Sequence, residues 1–237
     1  MIPNRPLILG HRGAPFRAVE NTVEAFVAAI DEGADGVELD VHLTRDGVLA
    51  LHHDTVVNGR PAWTRSFAEL QQDVGHKLST LDEVFARLPS TATIFVEIKR
   101  QGSVLEAVLP DRIVDLVRQR PGFAGNPSRT IVGSFDPVLV RLFHHVAPEL
   151  FLGLILERRG LPSPDGFEAA TMPWLGCLSM DVDLLDGPTC ERAAAAGLLT
   201  LTWSVDGEGP LRRCFDRFPR LHGVITKRPA QAVSVRK

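Results

Sequence analysis

Four short stretches of the chain carry side chains able to do chemistry. The first apolar run, Leu7 to Leu9, ends in Gly10 and is followed at once by His11 and Arg12. The stretch "GVELDVHL" sets Glu38 and Asp40 two apart, and "TIFVEIKR" sets Glu97 and Lys99 two apart. Residues i and i+2 share one face of a strand. "LHHD" adds His52 and His53 shortly after the first acidic pair. Two carboxylates on one face of a buried strand repel each other and are poorly solvated, so they require a cation. Glu38, Asp40 and Glu97 together make a hard oxygen set suited to Mg²⁺ or Ca²⁺. Arg12 and Lys99 are cationic donors suited to a phosphate. Histidine is the side chain that ordinarily titrates near neutral pH, so His11 and His53 are candidates for proton transfer. Each feature alone has a plainer role: a satisfied strand-end histidine, a carboxylate pair facing water, an ordinary Glu–Lys ion pair. Their convergence on strands that line one core is what points to a site.

The elements that must position these residues alternate along the chain. Short apolar, β-branched runs bounded by Gly, Asp or Pro predict strands at 7–11, 36–43, 48–53, 92–99, 130–135, 151–157, 176–182, 199–205 and 222–226. Helices are expected between them. One begins at Asn21 or Thr22 and stops at Gly33, another carries a Thr80–Glu83 capping box, and others span roughly 104–119, 137–146, 187–197 and 208–218. The helix between the strands at 151–157 and 176–182 is short and ill-defined in the sequence. Such alternation implies a mostly parallel sheet with helical crossovers. Only "TRDG" separates 36–43 from 48–53, too short for a crossover, so 48–53 must return antiparallel. An Asp46-Gly47 two-residue turn would then place His53 opposite Asp40, or, shifted by two, opposite Glu38. Removing the return strand leaves eight parallel strands, the count of a closed (β/α)8 barrel, whose active sites lie at the C-terminal strand ends. A doubly wound open sheet is the alternative, but no GxGxxG or P-loop signature supports it. Residues 54–79 read as a rim insertion with a short helix near Ser66–Gln72.

Composition narrows the function classes. Hydrophobic content of 44% and charged content of 23% suit a folded globular chain, here read as one domain over 1–237. A formal net charge of -3 with no basic block argues against nucleic acid as a partner. Cys177, Cys190 and Cys214 form no CxxC pair, so they read as small core residues. The N-terminal residues resemble no secretion signal and no apolar run is long enough to span a membrane, so a cytoplasmic location is expected.

In order along nearly the whole chain stand HRG, ENT, "GADGVELDVHLTRDG", "HHD", "STLDEVF", "EIK", "GSF" and "WSV". This series resembles the glycerophosphodiester phosphodiesterase family, and the block at 33–54 is its most specific part. The resemblance implies a TIM barrel, one divalent cation held by Glu38, Asp40 and Glu97, His11 and His53 as general acid and base, and phosphate contacts from Arg12 and Lys99. It also implies that Trp203 lines the substrate pocket. The reaction it implies cleaves a glycerophosphodiester, a small-molecule substrate, into glycerol 3-phosphate and an alcohol. In that mechanism the glycerol 2-hydroxyl attacks phosphorus, and water then opens the cyclic product. Phospholipase D-like hydrolysis of lysophospholipids and a non-catalytic phosphometabolite-binding barrel are the alternatives. The last expects a missing ligand or histidine, and none is missing. The chain departs from the family pattern with Lys227 where Asp or Asn is usual, and with Ser79 where proline is common. Glu20 and Asn21 are expected to fix the loop and cap the helix, and His42, His144 and His145 to be structural or solvated. The leaving alcohol, the ion, the oligomeric state and the order in which the histidines act stay open.

Overall fold

The computed structural model describes residues 5–101, 109–157 and 172–236. Strands β1 (Leu7–His11) and β2 (Gly36–Leu43) start the sheet, and β3 (Leu49–Leu51) runs back along β2. A two-strand hairpin, β4 (Val56–Val57) and β5 (Arg60–Pro61), stands apart in the insertion. The sheet continues with β6 (Thr93–Ile98), β7 (Thr130–Ser134), β8 (Phe151–Leu156), β9 (Cys177–Asp181), β10 (Leu199–Trp203) and β11 (Gly223–Thr226). The parallel order is β1-β2-β6-β7-β8-β9-β10-β11, and β11 pairs with β1 to close a TIM barrel. β2 is long enough for both partners: its first three residues pair with β1 and its last three with β3.

Alternation along the strands sorts side chains between two cores. Leu9, Phe95, Ile131, Ile155, Cys177 and Leu201 form a cluster inside the barrel, whereas Ile8, Val37, Leu39, Ile94 and Val96 pack outward against helices. Burying each Leu or Ile contributes about 1.5–3 kcal/mol. A Cβ on Gly133 would lie 2.7 Å from the Phe95 ring, so β7 needs glycine there for that ring to fill the barrel. By the same parity Glu38 and Asp40 on β2, and Glu97 on β6, point inward.

The helices are α1 (Val23–Asp31), α2 (Phe67–Val74), α3 (Leu81–Arg87), α4 (Leu109–Gln119), α5 (Pro137–Val146), α6 (Gly187–Ala195), α7 (Glu208–Arg217) and α8 (Pro229–Val235). Thr22, not Asn21, caps α1, accepting from the Ala25 amide. Thr80 and Glu83 form the expected capping box on α3. Helix α8 was not foreseen; Arg236 just beyond it bonds to the Pro6 carbonyl (3.0 Å) and pairs with Asp35, tying the two ends of the chain together. Residues 104–108 of one expected helix, and most of the stretch between β8 and β9, lie outside the described residues.

Two expectations are corrected. The hairpin turn holds three residues, not two: the Gly47 amide donates to the Thr44 carbonyl, Gly47 adopts φ 82°, and the Thr44 amide donates to the Val48 carbonyl. A left-handed glycine closing a turn is the usual geometry of a three-residue hairpin. Val41 therefore pairs with Leu51, and the expected opposition of Asp40 and His53 is off by one residue. The insertion is also more ordered than a rim loop with one short helix. Ala62, Leu70 and Leu78 cluster with Ala50, and the buried Arg65 donates to the carbonyls of Val57 and Arg60 while pairing with Asp73.

Candidate active site

The HRG turn builds one wall of the site. Arg12 sits at φ 55° and Gly13 at φ 88°, so the chain reverses just past β1. A Cβ on Gly13 would lie 2.5 Å from the Ala25 backbone, which excludes any other residue without a shift of α1. The turn aims the Arg12 amide at Glu38 Oε2 (3.0 Å). The Arg12 guanidinium bonds to Glu20 (2.8 Å) and lies 3.2 Å from Asp40 Oδ2. Glu20 thereby holds Arg12 in place within the loop.

Glu38, Asp40 and Glu97 each offer an oxygen within 4.8 Å of the others, all buried. Lys99 Nζ lies 2.8 Å from Asp40 Oδ1 and also bonds to Glu97. Asn21 is clamped to Asp40 from both sides, donating to Oδ2 (2.8 Å) and accepting from the Asp40 amide (3.1 Å). Like charges about 4 Å apart repel by roughly 4 kcal/mol at an effective dielectric near 20. Burial, then repulsion from Asp40 and Glu97, pushes the Glu38 carboxyl well above the ordinary range. Burial and Asp40 likewise push Glu97 up to about 7. Burial acts on Asp40 in the same direction, but Lys99 and Arg12 outweigh it and hold that carboxyl below the usual range. Glu38 Oε1 is buried with no hydrogen-bond partner. An orphaned carboxylate oxygen inside a set of three hard donors fits a divalent cation.

His11 faces this set. Its Nδ1 is 2.8 Å from Ser204 Oγ, and its Nε2 is 3.7 Å from Glu38 Oε2. Burial, followed by the Arg12 charge, pushes the His11 imidazole down to about 3. His53 lies beyond β3, with Nδ1 2.8 Å from Asp54 Oδ1, and its ring is 40% exposed. His42 is fully buried and holds no place in the pocket, in keeping with its structural reading.

A cavity of about 240 Å³ joins these groups. His11, Arg12, Glu38, Glu97, Lys99 and His53 line it, and so does Trp203. Asp40 lies beneath, 1% exposed. Phe135 meets Trp203 edge to face, with centroids 5.6 Å apart. Ser204, Ser179, Phe95, Phe135 and Glu157 are not among the expected site residues. All but Ser204 line the cavity. The available signal was parity: Ser179 and Glu157 each follow an inward residue, Cys177 and Ile155, by two.

Residues 11–231 match the Glycerophosphoryl diester phosphodiesterase family. The chain is 28% identical over 98% of its length, and 98% of the relative's, to a glycerophosphodiester phosphodiesterase of Caldanaerobacter subterraneus subsp. tengcongensis. A crystal structure of a glycerophosphodiester phosphodiesterase from Thermotoga maritima superposes with a TM-score of 0.80 at 25% identity, covering 99% of this chain and all of that one. An Oleispira antarctica phosphodiesterase in complex with the product sn-glycerol-3-phosphate shares the fold, with a TM-score of 0.79 at 20% identity over 98% of this chain and 96% of that one. With the fold, the match along almost its full length and the acidic set at the barrel mouth all in agreement, the chain belongs to the glycerophosphoryl diester phosphodiesterase family.

Proposed function

We propose that this chain, as one barrel domain, hydrolyses glycerophosphodiesters to glycerol 3-phosphate and an alcohol, using one divalent cation and two histidines. The observation that carries the reading is the buried trio Glu38, Asp40 and Glu97, of which Glu38 and Glu97 line the same cavity as His11 and His53. The charges support it. Arg12 and Lys99 offset only part of the trio's negative charge, and Arg12 is shared with Glu20, so the trio calls for a cation. When bound, Mg²⁺ or Ca²⁺ would supply charge stabilisation to the phosphoryl oxygens.

The protein groups account for the remaining steps. Arg12 and Lys99 orient the phosphate and oppose the charge that grows on it in the transition state. One histidine takes the proton of the glycerol 2-hydroxyl as that oxygen bonds to phosphorus. The other gives a proton to the departing alcohol oxygen as its bond to phosphorus breaks. Water then opens the cyclic phosphate with the two histidines in exchanged parts. Ser204, on His11 Nδ1, leaves Nε2 as the nitrogen facing the site. Ser179 Oγ is buried without a partner on the cavity wall and suits a hydroxyl of glycerol.

The test is release of glycerol 3-phosphate from a panel of diesters with Mg²⁺ or Ca²⁺, before and after chelation. The expected result is turnover that chelator abolishes and metal restores. Turnover of lysophosphatidylcholine alone, or of nothing in the panel, would overturn the reading. Among the described residues no helix is long and apolar enough to cross a membrane.

A further inference from the structure

The far wall of the cavity holds a carboxylate that the reaction does not use. Glu157 follows β8 and lines the cavity. β8 lies four strands from β1 in either direction around the closed order, so Glu157 stands across the barrel mouth from His11 and Arg12. Among the described residues Glu157 has no ion-pair partner, whereas Asp40 and Glu97 are engaged by Lys99. Next to β8 on one side is β7, with Phe135 just beyond it; two strands the other way is β10, which ends in Trp203. Both aromatic residues line the same cavity.

We propose that Glu157, together with Phe135 and Trp203, selects glycerophosphodiesters whose leaving alcohol carries a positive charge, an ammonium or quaternary ammonium alcohol. This rests on the hydrolase reading above. A carboxylate beside aromatic walls is the combination that recognises such a cation, through charge and through the negative faces of the rings. The opposite wall supports the same orientation. Arg12, Lys99 and a divalent ion attract the phosphate and repel a cationic headgroup, so the field runs from anion-binding at β1 to cation-binding at β8. A zwitterionic diester lies along that field, with its phosphate at the acidic trio's ion and its headgroup at Glu157. A diester with a neutral alcohol gains nothing at the second end.

The experiment compares kcat/KM for glycerophosphocholine and glycerophosphoethanolamine with that for glycerophosphoglycerol and glycerophosphoinositol, in the wild type and in Glu157→Gln and Glu157→Lys. The expected result is a wild-type preference for the cationic alcohols, carried mainly in KM and weakened by salt. Glu157→Gln lowers the ratio of cationic to neutral by about five- to tenfold, as loss of roughly 1 kcal/mol of charge interaction implies. Glu157→Lys inverts it. A ratio unchanged by either substitution overturns the proposal. Wild-type turnover of the neutral diesters without discrimination overturns it alone, leaving the hydrolase reading intact. Wild-type turnover of no diester overturns both.

Discussion

Asn21 and Asp40 are joined by two hydrogen bonds, one from the Asn21 side-chain amide to Asp40 Oδ2 and one from the Asp40 backbone amide to Asn21 Oδ1. Asn21 makes them from a left-handed backbone, φ 57°, which asparagine tolerates better than most residues. It thereby orients the carboxylate that also takes Lys99 and Arg12. Replacing Asn21 by Ala removes both bonds and leaves a strained residue. Loss of a partner that orients a ligand typically costs about 10–100-fold in metal affinity or activity. Titration calorimetry with Mg²⁺ or Ca²⁺ should show weaker binding in Asn21→Ala, and an unchanged affinity would contradict this account of Asp40.

His11→Ala and His53→Ala should each reduce glycerol 3-phosphate release by about 10²–10⁴-fold, the range of general acid–base contributions. Each should keep its circular dichroism spectrum and its divalent-ion affinity within a few-fold, since neither imidazole belongs to the acidic trio. Full activity in either variant would remove that histidine from the mechanism.

Glu38→Gln should separate stability from metal binding. Glu38 is buried against two other carboxylates, so replacing it with a neutral amide relieves repulsion. In chelator the variant should melt higher than the wild type. On adding Mg²⁺ or Ca²⁺ the wild type should gain melting temperature, because an ion that binds only the folded state stabilises it. The variant should gain much less. Equal gains in both proteins would show that Glu38 is not a ligand.

His222 provides a pH test away from the trio. Its Nδ1 accepts the Thr200 amide at 2.9 Å, which requires an unprotonated nitrogen. Burial, followed by the Arg220 charge, lowers its pKa below the ordinary 6.5. Between the lowered folded value and the unfolded one, the unfolded chain binds more protons. Stability from this group is therefore complete above about pH 6.5 and lost as pH falls below it. The melting temperature of His222→Asn should fall less steeply than that of the wild type between pH 7 and pH 5. Parallel slopes would rule out His222 as a contributor.

Much of the barrel was legible because strand periodicity is local. The nine expected strands all appear, each within two residues at either end, and the short "TRDG" link correctly forced β3 to return antiparallel. The i, i+2 spacing in β2 also placed Glu38 and Asp40 on one inward face, next to Glu97 at the same level of β6. The hairpin register was misjudged because Asp46-Gly47 fits both a two-residue and a three-residue turn, and the Thr44–Val48 pairing decides between them. Helix α8 was missed because "RPAQAVSVR" has a weak amphipathic pattern and gains its place from contacts with α7 and β1.

By itself the sequence determined which side chains could do chemistry and which face of each strand they share, since both follow from residue type and a two-residue period. Only the tertiary structure decided what meets across the barrel. Ser204 reaches His11 from 193 residues away, and Glu157 faces that histidine's wall because the eighth parallel strand closes on the first. Closure and register are properties of the whole sheet, and no local pattern in the chain encodes them.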